Sequence, residues 1–307
     1  MRRFFVWIVF ASFIFFNIVP AFADTVEQEE WNPPSAGPIT TWTAPLCGKG
    51  KFVIQPFFFY NRTRGTFNPE GHYDSLAKGD KKYQYQEQLF MQYGLMDKLE
   101  LGGQLVYQQN FIKQSDLKAH SRGFGDSYLF LRYCAVEEQK IIPHITGVFQ
   151  LKIPTGKYQK ADPDKLGTGL MGAASGGGSY DHGYGINLTK KLKPFIFHID
   201  AIYSLPLERR VDGAKTRYGR YLNYDFGVEY FLPKGFNLML EFNGFFQGDK
   251  IQDGDKVPAS DIKYLAVAPG IGWSNEKIQT LLAYQRTLTG TNTDANDSVV
   301  LTFVYAF

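Results

Sequence analysis

The chain has 307 residues, 44% of them hydrophobic and 16% aromatic, with 27 Phe, 19 Tyr and two Cys. Its 33 basic and 30 acidic residues give a formal charge of +3, and so near a balance gives no case for a nucleic-acid partner. No segment after the first 23 residues approaches the roughly 18 unbroken apolar residues of a membrane-spanning helix.

The chain opens MRRFFVWIVFASFIFFNIVPAFA, with Arg2 and Arg3 ahead of an apolar run that closes on Ala21-Phe22-Ala23. That order predicts a cleaved secretory signal over residues 1–23, with an uncleaved anchor as the alternative. An exported chain without a spanning helix is either soluble in the periplasm or a β-barrel in the outer membrane. The aromatic content leans toward the barrel, because membrane barrels gather Phe, Tyr and Trp at the two interfaces. Residues 24–50 follow, rich in Pro and Gly and carrying Trp31 and Trp42. They read either as a flexible periplasmic tail or as a plug folded into the lower mouth of a barrel.

From Lys51 onward twelve candidate strands can be marked, so residues 51–307 form the expected barrel. They run near Phe52–Asn61, Lys82–Gly94, Leu99–Gln108, Gly123–Val136, Ile142–Ile153, Ser179–Leu188, Phe195–Ser204, Tyr218–Phe231, Phe236–Phe246, Asp261–Trp273, Ile278–Thr287 and Ser298–Phe307. Short turns (MDK, EEQK, KKLK, PKG, NEK) alternate with longer polar connections, the layout of an antiparallel transmembrane barrel with both ends on the periplasmic side.

Side chains alternate faces along a strand. Leu222, Tyr224, Phe226, Val228 and Tyr230 therefore share one face, opposite Asn223, Asp225, Gly227 and Glu229. Charges facing lipid are costly, so they mark the lumen. This parity places Glu100, Asp126, Arg132, Lys152, Asp200, Asp225, Glu229 and Glu241 inside. Arg132 and Lys152 are the expected counter-charges to Asp225, Glu229 and Glu241, and the acidic excess would favour neutral or cationic solutes. Glu87 breaks the pattern on the outer face, and the first and eleventh strands are mixed on both faces. Small inward residues of the tenth strand, Gly270 and Gly272 among them, leave room for a solute or a plug. Cys134 ends the fourth strand on the inward parity of Arg132, and Cys47 lies at the same membrane level just before the first strand. The periplasm is oxidising, so a disulfide between them is expected, with two free buried thiols or an unrelated register as the alternatives.

Two loops stand apart. Lys160–Asp181 is glycine-dense and reads as an outer lid or plain linker. Glu208–Arg220 carries Arg209, Arg210, Lys215, Arg217 and Arg220, able to hold lipopolysaccharide phosphates. In the last strand, SVVLTFVYAF, Val299, Leu301, Phe303, Tyr305 and Phe307 share one face. This C-terminal pattern resembles the signal read by the outer-membrane barrel assembly machinery, with Phe303, Tyr305 and Phe307 as its residues.

LMDKLELGGQLVYQ, GFGDSYLFLRY, FQLKIPTGKY and GSYDHGYGINLTKKL together resemble the outer-membrane family named for a meta-pathway of phenol degradation (MetA-like). The resemblance implies a twelve-stranded channel for aromatic or other hydrophobic small molecules. A hydrolase is the rival class, since His182 has lipid-facing parity three residues from Ser179. No spacing joins a nucleophile, base and orienting group, however, so no catalytic residue is assigned. A non-conducting structural or adhesion barrel is a further alternative. No cofactor or metal site is expected, since no His, Cys and carboxylate cluster has ligand spacing. The expected surroundings are the bacterial outer membrane, its lipid and a small-molecule solute.

Overall fold

The computed structural model describes residues 31–115, 117–156, 178–211 and 213–307. The chain divides into two units, Met1–Asn32 and Pro33–Phe307. The expected signal peptide, and most of the Lys160–Asp181 loop, lie outside the described residues.

The second unit is an all-β, closed antiparallel barrel of twelve strands. These are β1 (Phe52–Phe67), β2 (Lys81–Met96), β3 (Leu99–Gln114), β4 (Leu117–Phe124 with Ser127–Val136), β5 (His144–Ile153) and β6 (Asp181–Leu192). They continue as β7 (Phe195–Pro206), β8 (Tyr221–Phe231), β9 (Phe236–Gln247), β10 (Ile262–Ser274), β11 (Ile278–Thr291) and β12 (Thr293–Ala306). Each strand pairs with the next, and β12 pairs with β1 from Ala306 opposite Val53 to Thr293 opposite Phe67. Closure leaves no unpaired edge, which a lipid-facing backbone requires because hydrocarbon supplies no hydrogen-bond partner. The terminal Phe307 amide donates to the Phe52 carbonyl at 2.9 Å, and the two rings lie 5.9 Å apart.

The alternation read from the last strand is present in space. Val299, Phe303, Tyr305 and Phe307 are exposed on the outer wall, while Val300, Thr302 and Val304 are buried inside. Outward aromatics collect near the short turns, among them Tyr93, Tyr133, Phe195, Tyr230, Phe236, Trp273 and Tyr305. A second group, including Tyr60, Tyr85, Tyr184, Tyr203, Tyr224, Phe246 and Tyr284, occupies the other end of the wall. Two aromatic belts bounding an apolar wall are the interfacial girdles of a membrane barrel. Glu87 does face outward and is exposed, between Phe58 and Tyr107 and one step from Tyr85 of the outer belt.

Several boundaries differ from the alternation pattern. The strands run on past their apolar stretches at the long-loop end, where water rather than lipid surrounds the ladder and pairing no longer needs apolar side chains. Thus β11 and β12 join through Asn292 (φ 49°) alone, and β3 runs to Gln114, followed by Ser115 at φ 53°. GFGDS is a break within β4 at Gly125-Asp126 rather than its beginning. β5 starts after Pro143, which cannot donate to a ladder, so Ile141 and Ile142 stay exposed in a longer turn. Lys190 and Lys191 belong to β6, and the reversal falls at Lys193-Pro194.

Leu240 lies midway along β9 on the outer wall, between Val228 and Pro269. Leu240→Arg is expected to destabilise the refolded barrel by about 2–4 kcal/mol, measured by urea unfolding in lipid vesicles; a change within error would argue against a lipid-facing position.

Candidate functional site

Inside the barrel, Glu100, Asp126, Arg132, Lys152, Asp200, Glu229 and Glu241 are all buried, and Asp225 is half-buried. They fall into separate groups. Arg132 Nη1 donates to Glu100 Oε1 at 2.7 Å. Lys152 Nζ lies 2.6 Å from Asp181 Oδ2 and 3.7 Å from Asp126 Oδ2, and the Tyr221 hydroxyl donates to Asp181 at 2.9 Å. Arg132 and Lys152 thus neutralise acids on their own side of the barrel, not the β8–β9 cluster as expected. Asp126, Lys152 and Asp181 meet because the β4 break and the start of β6 flank the end of β5.

The acids of β7–β9 have a different partner, the segment of residues 33–48, which lies within the barrel. Glu241 accepts from the backbone amides of Ile39 (2.6 Å), Thr40 (3.0 Å) and Thr41 (2.9 Å), and from the Thr40 and Thr41 hydroxyls (2.9 and 2.8 Å). Asp200 accepts the Trp42 amide at 2.7 Å. Glu229 accepts the Ser35 hydroxyl at 2.8 Å and the Asn237 amide at 2.5 Å, and contacts His198 Nε2 at 3.0 Å. Asp225 accepts from Asn243 at 2.9 Å, and Asn243 also donates to Thr40 Oγ1. A buried carboxylate is tolerated only when hydrogen-bonded; here backbone N–H groups serve Glu241 and Asp200, and side chains serve Glu229 and Asp225.

The contacts continue along the segment. The Ala44 amide donates to Thr189 Oγ1 at 2.8 Å, and Thr146 Oγ1 donates to the Ala44 carbonyl at 2.7 Å. Arg132 donates to the Thr43 carbonyl. Gln279 brackets the start, accepting from Ala36 N and donating to Gly37 O. Thr146, Thr189 and Gln279 were not singled out in the sequence, although each is a polar residue on inward parity near a short turn.

Packing holds the same segment. Ile39 is buried among Phe57, Phe90, Phe130, Val148, Ile202, Met239 and Leu281. The Trp42 ring lies 4.8 Å from Phe130 and 5.5 Å from Phe90, with the Arg132 guanidinium 5.8 Å from its centroid. The interior is therefore not uniformly polar. The two strands with mixed faces owe this to the segment, since Phe57 of β1 and Leu281 and Ala283 of β11 face its apolar core. Gly227 admits it closely: a Cβ there would stand 2.9 Å from Pro38 Cγ. The space expected beside Gly272 is instead filled by Asn237 and Leu281.

The expected disulfide is not formed, since Cys47 and Cys134 are free thiols. Cys47 Sγ is turned to the carbonyls of Gly48 and Lys51 (3.8 and 3.6 Å), while its amide donates to Glu100 at 2.8 Å. Burial pushes the Cys47 thiol up to about 12, and the Glu100 carboxylate acts in the same direction. The residues weighed for a hydrolase diverge: Ser179 donates to Asp181, and His182 packs edge-on against Tyr184.

Residues 82–303 match the family model described as the MetA-pathway of phenol degradation. No curated protein matches the sequence. Among solved structures, an outer membrane channel from Pseudomonas putida F1 is 14% identical and covers 92% of this chain and 100% of its own, with a TM-score of 0.67. The NanC porin is 10% identical over 82% of this chain and 98% of its own, with a TM-score of 0.47.

Removing the Glu241 acceptor leaves the Ile39–Thr41 amides without their partner, a loss of about 2–3 kcal/mol for charge-assisted bonds. Glu241→Ala is expected to lower hydrogen-exchange protection of these amides roughly 30- to 150-fold, with the β-strand amides unchanged. Maleimide labelling at pH 8 should be about 100-fold or more slower for the folded chain than for the unfolded one, because the thiolate is the reacting species. Labelling should rise with pH toward 12, whereas fast labelling of the half-buried Cys47 at pH 8 would contradict its raised thiol.

Proposed function

Because the chain belongs to the MetA-pathway of phenol degradation family, we propose that it is an outer-membrane channel for passive uptake of small molecules, with aromatic and other hydrophobic solutes as its class. The observation that carries this reading is a closed barrel with an apolar outer wall, enclosing a lumen whose lower part holds a separate segment of the chain. Strands surround the lumen on every side, so transit runs along the barrel axis. Residues 33–48 then act as the gate, since they cross the path and are held by hydrogen bonds and one apolar cluster rather than by a covalent link.

In this reading the lumen-lining acids have two roles. Glu241, Asp200 and Glu229 hold the gate shut, Glu100 with Arg132 braces the wall beside it, and Asp126 with Lys152 and Asp181 braces the wall at the long-loop end. No large acidic surface is then left to attract cations, and weak charge selectivity follows. Outside the lumen, the exposed Arg210, Lys215, Arg217 and Arg220 suit the phosphates of lipopolysaccharide. The outward Phe303, Tyr305 and Phe307 suit recognition by the barrel assembly machinery. The function is transport rather than catalysis. A structural barrel that never conducts is the second reading, and the filled lower lumen is what favours it.

Single-channel recording in planar bilayers tests the choice. The mature chain is expected to give small steps with little ion preference, unaffected by a thiol reductant. Deleting residues 33–46 should raise the conductance several-fold. A deletion variant that folds, shown by heat-modifiable gel mobility, yet stays silent would move the assignment to the structural barrel.

A further inference from the structure

Above the gate, the inward face of β1–β4 carries a surface that the channel reading does not by itself explain. We propose that it is a binding track for uncharged solutes that combine a flat ring with several hydroxyl or carbonyl groups; this rests on the channel reading and specifies its solute. Asn61, Gln84, Asn110 and Ser121 stand side by side on four consecutive strands. Asn61 Nδ2 donates to Gln84 Oε1 at 2.8 Å, Gln84 Nε2 to Asn110 Oδ1 at 2.8 Å, and Asn110 Nδ2 to Ser121 Oγ at 3.4 Å. Deeper in, Gln104 Nε2 donates to Gln88 Oε1 at 2.5 Å.

Between these two tiers sits Gln86, inward and half-buried, opposite Phe59 on β1. Its amide makes no side-chain hydrogen bond among the described residues, so two N–H donors and a carbonyl acceptor face the lumen. Phe59 is also half-buried and stacks on Phe57 with centroids 5.9 Å apart. One ring face therefore adjoins one free amide.

Charge completes the assignment. Between Lys82, held by Asp294 at 2.5 Å, and Glu100, held by Arg132, every inward residue of β1–β3 is uncharged. An ionised solute would lose water here and meet no counter-charge. A plain hydrocarbon would cover Gln86 without replacing its water hydrogen bonds, which also costs free energy. A ring bearing hydroxyl groups satisfies both surfaces, with the ring on Phe59 and the hydroxyls on Gln86 and Gln84.

The test is saturation-transfer NMR on the mature chain refolded in micelles, with phenyl β-D-glucoside as the probe and benzoate and toluene as controls. The glucoside is expected to bind saturably, with both controls at least tenfold weaker. Gln86→Leu should weaken glucoside binding about fivefold, and Gln84→Ala should weaken it similarly, each variant checked for heat-modifiable mobility. No saturable binding, equal binding of benzoate or toluene, or folded variants that bind like the parent chain would each overturn the track. Liposome swelling with urea, a small neutral permeant, reports the channel separately. Swelling without glucoside binding overturns the track alone, and glucoside binding that Gln86→Leu weakens, without swelling, supports the track while removing the channel.

Discussion

A backbone in hydrocarbon has no water to turn to, and each unpaired N–H or C=O there costs several kcal/mol. The register between β12 and β1 meets that constraint for this chain, and the rest of the architecture follows from it. Once the sheet closes, one face of every strand must meet lipid and the other must face a narrow interior. Phe303, Tyr305 and Phe307 are outside because Val300, Thr302 and Val304 are inside, and this choice propagates around all twelve strands. The closing pair also brings Phe307 against Phe52, so the last residue of the barrel is as constrained as any in the wall.

Closure creates the interior problem that the N-terminal segment solves. Among the described residues, Asp200 and Glu241 are buried with no basic side chain in hydrogen-bonding reach and Glu229 has only His198, a placement that burial alone would make very costly. The segment brings backbone amides and threonine hydroxyls to them, and apolar side chains to the inward phenylalanines. Ile39 and Thr41 lie side by side in sequence, yet one completes the apolar core and the other satisfies Glu241. Polar and apolar demands of the lumen are thus met by the same few residues. This coupling explains how a segment without a strand or helix of its own keeps a defined position.

The two halves of the lumen differ in kind. The lower half is filled by the segment, and its charges are engaged with one another or with it. The upper half holds the Lys152, Asp126 and Asp181 cluster on β4–β6 and is lined by amides and rings along β1–β4. A passage built this way would discriminate more by hydrogen bonding and shape than by charge, which fits a passive route for neutral molecules better than an ion-selective pore.

The barrel itself was legible in the sequence because its physics is local and periodic. Alternation along SVVLTFVYAF or LNYDFGVEY depends only on neighbours two residues apart, and it gave strand number, outward face and the inward parity of Glu100, Asp200, Glu229 and Glu241. The limits of the pattern show in Phe57–Phe58–Phe59 and Leu281–Leu282, where both faces are apolar. There the inward residue answers to Ile39 and Trp42 rather than to lipid, and period alone cannot separate the two demands. Cys134 sits on the inward parity of its strand and Cys47 lies outside any strand, and both remain free thiols, because a strand pattern fixes a face and not a sulfur-to-sulfur distance. Which groups satisfy the buried acids was decided only by tertiary structure. Glu241 and the Ile39–Thr41 amides are some 200 residues apart, and only the closed ring of strands brings them within hydrogen-bonding distance.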